Sequence, residues 1–412
     1  MPTRPTFFRQ IVFVLNVLTL SAASLAGDVD VEVGKTRVIF REANRPMMFR
    51  LRDGALIVTA VAKAGSPSAI LSKDGGRTWI PFQSPVPVGH DGSLAVLADG
   101  TIVAIDYHTN PVAGKADTFA GRRWLSTDNW KTAQAPSPIT LEMPNVVFGY
   151  DDGGKSTPVA GPKFVDLCHE LPDGSLLTTM DTYFAADTKY TKYPSRGEQY
   201  KWRAVLVRSV DQGKSWNYVS TVACVDDVAD PELRRTWMEG FNEPSLAVLP
   251  DGKLLCAMRT GTYVGTKEME TYTDLSQTIM QNGKYIVSNG ERSRPIYLAT
   301  STDGGKTWSN LRPAPYAAGS RPRLLLLPNG VLALSYGRMY RPSQGIGIIF
   351  STDGGDTWSK ETVLSSSLST GYSVMATLGP GKLLCLFDSV TAWGPKIDAS
   401  WIGAVDIEVT KK

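Results

Sequence analysis

Helical periodicity is nearly absent from this 412-residue chain; PELRRTWMEG (231–240) reads as at most one short helix in a loop, which argues against helix bundles and alternating α/β folds. Only three histidines and four cysteines occur, with no Cys-x-x-Cys pair and no Cys/His cluster, so neither a metal nor a cofactor is expected. Cys168, Cys256 and Cys385 lie inside apolar strand patterns, where buried free thiols are common, and the four cysteines with Cys224 read as packing rather than chemistry. Neither sign of charge dominates: 43 basic against 40 acidic residues give +3, which offers no polyanion-binding surface and excludes nucleic acid as the expected partner. Beyond the first 26 residues there is no long uncharged apolar run, so no membrane partner is expected for the mature chain.

What is present begins with a leader. Arg4 and Arg9, the apolar run IVFVLNVLTL (11–20) and the small-residue ending SAASLAG form the pattern of a secretory signal peptide cleaved after Ala26. The expectation is an exported protein, periplasmic or extracellular, whose residues 27–412 form one domain.

The rest of the chain is repetitive. Aligned on Gly54, Gly100, Gly174, Gly252, Gly330 and Gly381, six segments read as an alternating strand, a tight turn and a second strand: RPMMFRLRDGALIVTA, DGSLAVLADGTIVAID, VDLCHELPDGSLLTTM, EPSLAVLPDGKLLCAM, RPRLLLLPNGVLALSY and YSVMATLGPGKLLCLF. Four of the six are followed by a second repeat, Ser-x-Asp-x-Gly-x-x-Trp, at 72–79, 209–216, 301–308 and 351–358, with STDNWKTA (126–133) as a decayed fifth copy. Its Ser and Asp suit bonding to turn amides, its Gly a positive φ and its Trp packing on a neighbouring sheet, so it is read as structural. One hairpin and one outer pair make a four-stranded sheet. Six such units predict an all-β, six-bladed β-propeller, in which DVDVEVGKTRVIF (28–40) and SWIGAVDIEV (400–409) combine both chain ends in the last blade. Insertions at 182–203 and 261–291 are expected to rise on the face carrying the hairpin ends.

The residue eight positions before each turn's Asp-equivalent opens the innermost strand, which puts Arg45, Asp91, Val165, Glu243, Arg321 and Tyr372 around one end of the channel. Seven or eight residues after each turn glycine, on the same face, come Val61, Tyr107, Asp181, Arg259, Arg338 and Asp388, with Asp106 and His108 beside Tyr107. Charges crowded on an axis must be paired or used. Solvated charges and a structural ion-pair network stay open as readings; the one favoured is a pocket for a carboxylate ligand, which the planar guanidinium fork suits.

With these residues in place, the chain resembles the sialidase (neuraminidase) superfamily. The Ser-x-Asp-x-Gly-x-x-Trp turns look like its Asp-boxes (BNR repeats), NEPSLAVLPDGKLLCAMR is similar to the segment carrying a catalytic Glu and a triad arginine, and GYSVMATLGPGKLLCLFD (371–388) to that carrying the nucleophilic Tyr. The resemblance implies an exo-glycosidase acting on a glycan or glycoconjugate with a terminal acidic sugar, sialic acid by default. It makes Tyr372 the nucleophile, Glu243 its general-base partner and Arg259 one arginine of the carboxylate triad. Arg45, one position out of the family's register, and Arg338 or Arg341, with Arg321 as a further contender, complete that triad. The family's acid/base Asp has no counterpart in VAKAGSPSAILS (61–72), so Asp91, then Asp106, are the substitutes, with Asp181 and Asp388 as further site candidates. Two rival expectations are a relative acting on another anionic sugar such as a uronic acid, and a carbohydrate-binding propeller without turnover.

Overall fold

The computed structural model describes residues 29–86, 92–147, 161–187, 189–190, 199–228, 240–260, 278–281, 284–287, 295–339, 344–390 and 397–412. The leader, most of the 261–291 insertion, residues 188 and 191–198 of the 182–203 insertion and all of 231–240 except Gly240 therefore lie outside the described residues.

The described chain is built of antiparallel sheets, and the one helical element among its described residues is the 3₁₀ turn Val225–Asp227. Each hairpin seen in the sequence pairs its two strands around its turn glycine. In Asn242–Val248 and Leu254–Arg259, for example, Val248 faces Leu254 and Asn242 faces Arg259, while the Gly252 amide donates to the Leu249 carbonyl at 2.9 Å. Three sheets then run outward in sequence order: Ala43–Arg50 to Ile80–Phe82, Asn242–Val248 to Ser309–Ala318, and Ser320–Leu326 to Thr362–Ser365. A fourth runs Ser373–Gly379, Lys382–Ser389, Trp401–Lys411, and both Val29–Val33 and Arg37–Arg41 pair with this C-terminal strand, so the two chain ends close one sheet together as the patterning predicts.

The remaining two hairpins share a ten-stranded sheet. Its two antiparallel halves meet where Ser137–Glu142 pairs in parallel with Ser215–Ala223. The third hairpin departs from the regular pattern: its first strand is broken into Lys163–Phe164 and His169–Glu170, both paired with Leu176–Thr182. First strands pack beside one another, Ala43–Arg50 against Ser373–Gly379, that strand against Ser320–Leu326, and this in turn against Asn242–Val248. Neighbouring sheets enclose their own apolar clusters; Ala247, Leu255 and Leu298 meet Leu332, Leu334, Ile349 and Trp358, all buried. All four cysteines are buried and free, and burial pushes the Cys168 and Cys385 thiols up to about 12.

The Ser-x-Asp turns fasten the outer strand pairs. In 301–308, Ser301 Oγ accepts from the Gly305 amide at 2.9 Å, and Asp303 accepts from the Thr307 amide and hydroxyl at 3.0 and 2.6 Å. Gly305 sits at φ +86°, and a Cβ there would lie 2.1 Å from Leu206 Cδ2 of the adjacent sheet. The glycine is thus needed both for its backbone and for the sheet contact. The fifth copy is less decayed than its sequence implies. Ser126 and Asp128 make the same bonds, to Trp130 N and to Thr132 N and Oγ1, with Asn129 and Trp130 in the left-handed region at φ 58° and 63°. Its tryptophan has moved to the glycine position, fully buried edge-on to Phe49 with ring centroids 5.6 Å apart.

Candidate functional site

Three first strands open on the same local device. Asn44-Arg45-Pro46, Asn242-Glu243-Pro244 and Ser320-Arg321-Pro322 each place a charged residue in the left-handed region, at φ 53°, 46° and 47°. Each also has a break in strand register immediately after it. A bulge leaves a residue unpaired, and the proline that follows has no N–H to lose there. Non-glycine residues at positive φ are uncommon and strained. The bulges re-aim these three side chains toward the region where the first strands meet.

Glu243 is the hub. Its Oε2 accepts from Arg259 Nη1 at 3.1 Å and from the Arg321 backbone N–H at 3.2 Å; its Oε1 lies 3.8 Å from Arg321 Nη1 and takes a long, 3.5 Å contact from the Tyr372 hydroxyl. Two guanidinium groups lie over the Tyr372 ring, Arg321 at 4.6 Å and Arg45 at 5.4 Å from its centroid. Arg321 is 2% exposed, Glu243 and Tyr372 are partly buried and Arg45 is exposed, so the cluster is closed on the Arg321 side and open on the Arg45 side. A carboxylate, a phenol and three guanidinium groups within one cluster form an anion-recognising surface around a hydroxyl nucleophile candidate.

The structure thus brings Arg45, Glu243, Arg259, Arg321 and Tyr372 together. Arg338 is buried at the end of the second strand of its hairpin, where Glu361 Oε1 accepts from its Nε at 2.9 Å and from the Tyr336 hydroxyl at 2.6 Å. Val165, in the same alignment column, is buried, and its carbonyl accepts from Arg323. Asp388 accepts from the Arg45 N–H at 2.8 Å, and Asp181 from the Glu243 N–H at 3.1 Å. Burial raises the Asp181 carboxyl to about 6, against the opposing pull of Lys163. Asp106 is directed elsewhere, forked onto the Arg122 guanidinium at 2.7 and 3.3 Å. Asp91 and Arg341 lie outside the described residues.

Sequence reasoning missed three groups. Glu361, just before the outer strand Thr362–Ser365, orients Arg338. Lys163 pairs in register with Asp181 and stands 4.5 Å from the Trp202 ring centroid. Asp166 and Arg323 form a buried ion pair at 2.7 Å, in which Asp166 also accepts from the Leu246 N–H at 2.6 Å. Asp166 and Arg323 stand one and two columns from the ring column of the hairpin alignment, so reading the neighbouring columns would have found them. They line a cavity of about 250 Å³ further along the first strands, together with His169 and Ser245. Because the ion pair in this cavity is internally satisfied, we place the candidate chemistry at the ring rather than in the cavity.

No family model matches the chain, and no curated protein matches it in sequence. Solved structures do match in shape. A protein of unknown function from Dyadobacter fermentans is 20% identical with a TM-score of 0.60, covering 92% of this chain and 99% of that one. The Hadza microbial sialidase Hz136 is 15% identical with a TM-score of 0.55, over 90% of this chain and 65% of that chain. The α-L-arabinofuranosidase of Fusarium graminearum, solved with an iminosugar inhibitor, is 15% identical with a TM-score of 0.57, over 91% and 98%. The chain shares its fold with these solved structures, a sialidase and an α-L-arabinofuranosidase among them. At these identities the likeness concerns backbone architecture and leaves chemistry to be argued from the site.

Proposed function

We propose that this chain is an exported glycoside hydrolase on a six-bladed propeller, the ten-stranded sheet being two blades joined at their outer strands, and that it removes a terminal acidic sugar, with sialic acid as the default. The observation that carries this reading is the Tyr372 hydroxyl 3.5 Å from the Glu243 carboxylate, with the Arg45 and Arg321 guanidinium groups over its ring. The shared fold of a sialidase and an arabinofuranosidase supports the broader class of glycosidase.

In this mechanism the exposed Arg45 and the partly buried Arg259 hold the sugar carboxylate, with Arg338, oriented by Glu361, as a third contributor; Arg341 remains a candidate by sequence. The anomeric carbon then faces Tyr372. A carboxylate nucleophile would be repelled by the substrate's own carboxylate, whereas a neutral phenol is not. As the glycosidic bond breaks, the Tyr372 oxygen attacks the oxocarbenium-like centre, its proton passes to Glu243, and the flanking guanidinium groups stabilise negative charge as it develops. Water then releases the sugar from Tyr372. Asp91 is the provisional acid for the leaving group.

A second reading, a relative acting on a uronic acid, is favoured by the absence of any acidic residue in 61–72. The deciding experiment compares wild type and Tyr372→Phe on aryl sialoside, aryl glucuronide and aryl α-L-arabinofuranoside, whose good leaving group needs little acid assistance. Sialoside turnover abolished by Tyr372→Phe supports the main reading, and glucuronide turnover the second. Arabinofuranoside turnover alone would sink both, leaving the arginines as an ion-pair network. No turnover with retained binding of acidic sugars would identify a lectin-like propeller.

A further inference from the structure

We propose that Asp388 and Asp181 are positioning residues, each a carboxylate from the second strand of one sheet that holds the residue opening the next sheet in its left-handed bulge: Asp388 holds Arg45 and Asp181 holds Glu243. The inference rests on the ring reading above and assigns these two aspartates a place in it.

A bulged residue's N–H has lost its ladder partner and must be satisfied otherwise. At Arg45 the acceptor is Asp388 Oδ2 at 2.8 Å, and at Glu243 it is Asp181 Oδ2 at 3.1 Å. At Arg321 it is Glu243 itself, through Oε2 at 3.2 Å. Asp181, Glu243 and Arg321 therefore form a relay across three consecutive hairpins, in which each acidic side chain fixes the backbone of the next ring residue. Both aspartates stand seven residues after their turn glycines, Gly381 and Gly174. Arg259 occupies the same place in the intervening hairpin and bonds the Glu243 side chain directly.

The two clamps differ in what they tolerate. Asp388 is fully buried and accepts four donors: Ser369 Oγ at 2.7 Å and Thr370 N at 2.9 Å on Oδ1, and Arg45 N and Thr370 Oγ1 on Oδ2. Only an ionised carboxylate offers acceptors at all four places. Asp181 is 4% exposed and receives the Glu243 N–H on Oδ2, while its Oδ1 is buried with no hydrogen-bond partner among the described residues. The charges facing it are Lys163 from the paired strand, Glu243 from the next first strand and Arg321 beyond. One accepting oxygen suffices there, so a neutral side chain of the same shape fits.

The test is amide hydrogen exchange on the unliganded full chain, read by mass spectrometry in peptides containing Arg45, Thr370 and Glu243. Asp388→Asn must set its NH₂ against either the Arg45 or the Thr370 amide, so exchange at one of them should rise about tenfold or more, as expected for a lost charge-assisted bond. Asp181→Ala should speed the Glu243 amide about tenfold, and Asp181→Asn should restore protection to within about threefold. Affinity for N-acetylneuraminic acid separates positioning from mere packing: Asp388→Asn should weaken it about as much as Arg45→Ala does, with the double variant no weaker, as coupled residues behave. Unchanged exchange in Asp388→Asn, or Asp181→Asn behaving like Asp181→Ala, overturns the proposal. If Asp388→Asn does not fold, the Asp181 pair decides alone. A wild type that binds no acidic sugar sinks the functional reading instead, and the exchange result still stands for this one.

Discussion

The outer turns and the inner ring solve the same problem with opposite reach. In both, an aspartate or glutamate carboxylate accepts backbone N–H groups that the sheets leave unpaired. In the turns the donor is three or four residues away: Asp303 bonds Thr307 and Asp128 bonds Lys131 and Thr132. In the ring it is 62 residues away for Asp181 and Glu243, and 343 for Asp388 and Arg45. The local device is repeated, and its carboxylate finds its donors within its own segment. The distant one is buried and assembled only when neighbouring sheets dock. One sort of site serves folding, and the other can be tuned for chemistry.

The sharpest way to break the comparison is at Tyr372 and Glu243. If the ring is a catalytic centre, Tyr372→Phe and Glu243→Gln should each lower turnover of an aryl acidic glycoside by about a thousandfold, roughly 4 kcal/mol of transition-state stabilisation. Removing a Ser-x-Asp aspartate should leave the rate per folded molecule within about twofold, since uninvolved residues at a distance act additively and weakly. Equal losses in both regions would show that activity merely follows folding.

Gly305→Ala tests the opposite side. The substitution forces a side chain into positive φ and drives Cβ into Leu206, 2.1 Å away. It should cost about 2–4 kcal/mol of stability, the sum of a backbone and an overpacking penalty, while leaving catalysis by the folded fraction intact. Urea unfolding together with active-site titration measures both. A cost under about 1 kcal/mol would mean that the sheets slide freely past one another.

That contrast in reach also explains what could be read before the structure. The turns were legible because the whole interaction fits within one Ser-x-Asp-x-Gly-x-x-Trp segment, and even the fifth copy was visible, although nothing local announced that Trp130 takes the glycine's place. The meeting of Glu243 with Arg259 was legible too, because a hairpin must bring its ends together. Arg45, Arg321 and Tyr372 were placed beside them by the alignment column alone. Asp388 and Asp181 were flagged as charges near the site, yet their bonds to Arg45 N and Glu243 N depend on how one sheet sits against the next, which no single segment encodes. Glu361 was missed for the same reason: it reaches Arg338 from the residue just before the outer strand Thr362–Ser365. Asp106 stands beside Tyr107, which holds the alignment column, and was the second substitute for the acid, but Arg122 on the paired strand claims it.

Acidity gives the two smaller predictions, and they have opposite signs. Asp181 is raised to about 6 by burial, above its unfolded value near 4, so the native state holds its proton longer than the unfolded chain. Its contribution is neutral below about pH 4 and becomes a growing cost between about pH 4 and 6, reaching about 2–3 kcal/mol at neutral pH. Asp181→Asn, which keeps an acceptor for the Glu243 amide, should therefore match wild type near pH 4 and exceed it in stability at pH 7. Asp303 runs the other way: the Thr307 hydroxyl and amide hold its carboxyl well below the usual range. The unfolded state then binds the proton first as pH falls, so the stabilisation is present above about pH 4 and disappears on further acidification. Asp303→Asn should lower the melting temperature at pH 7 by less than Gly305→Ala does, and its deficit relative to wild type should shrink as the pH is brought down toward 3. Melting curves of wild type and both asparagine variants across pH 3–8 would show one pair of lines diverging upward and the other converging downward. Parallel lines for both would mean that neither carboxylate feels its surroundings, and the distinction between turn and ring would reduce to geometry.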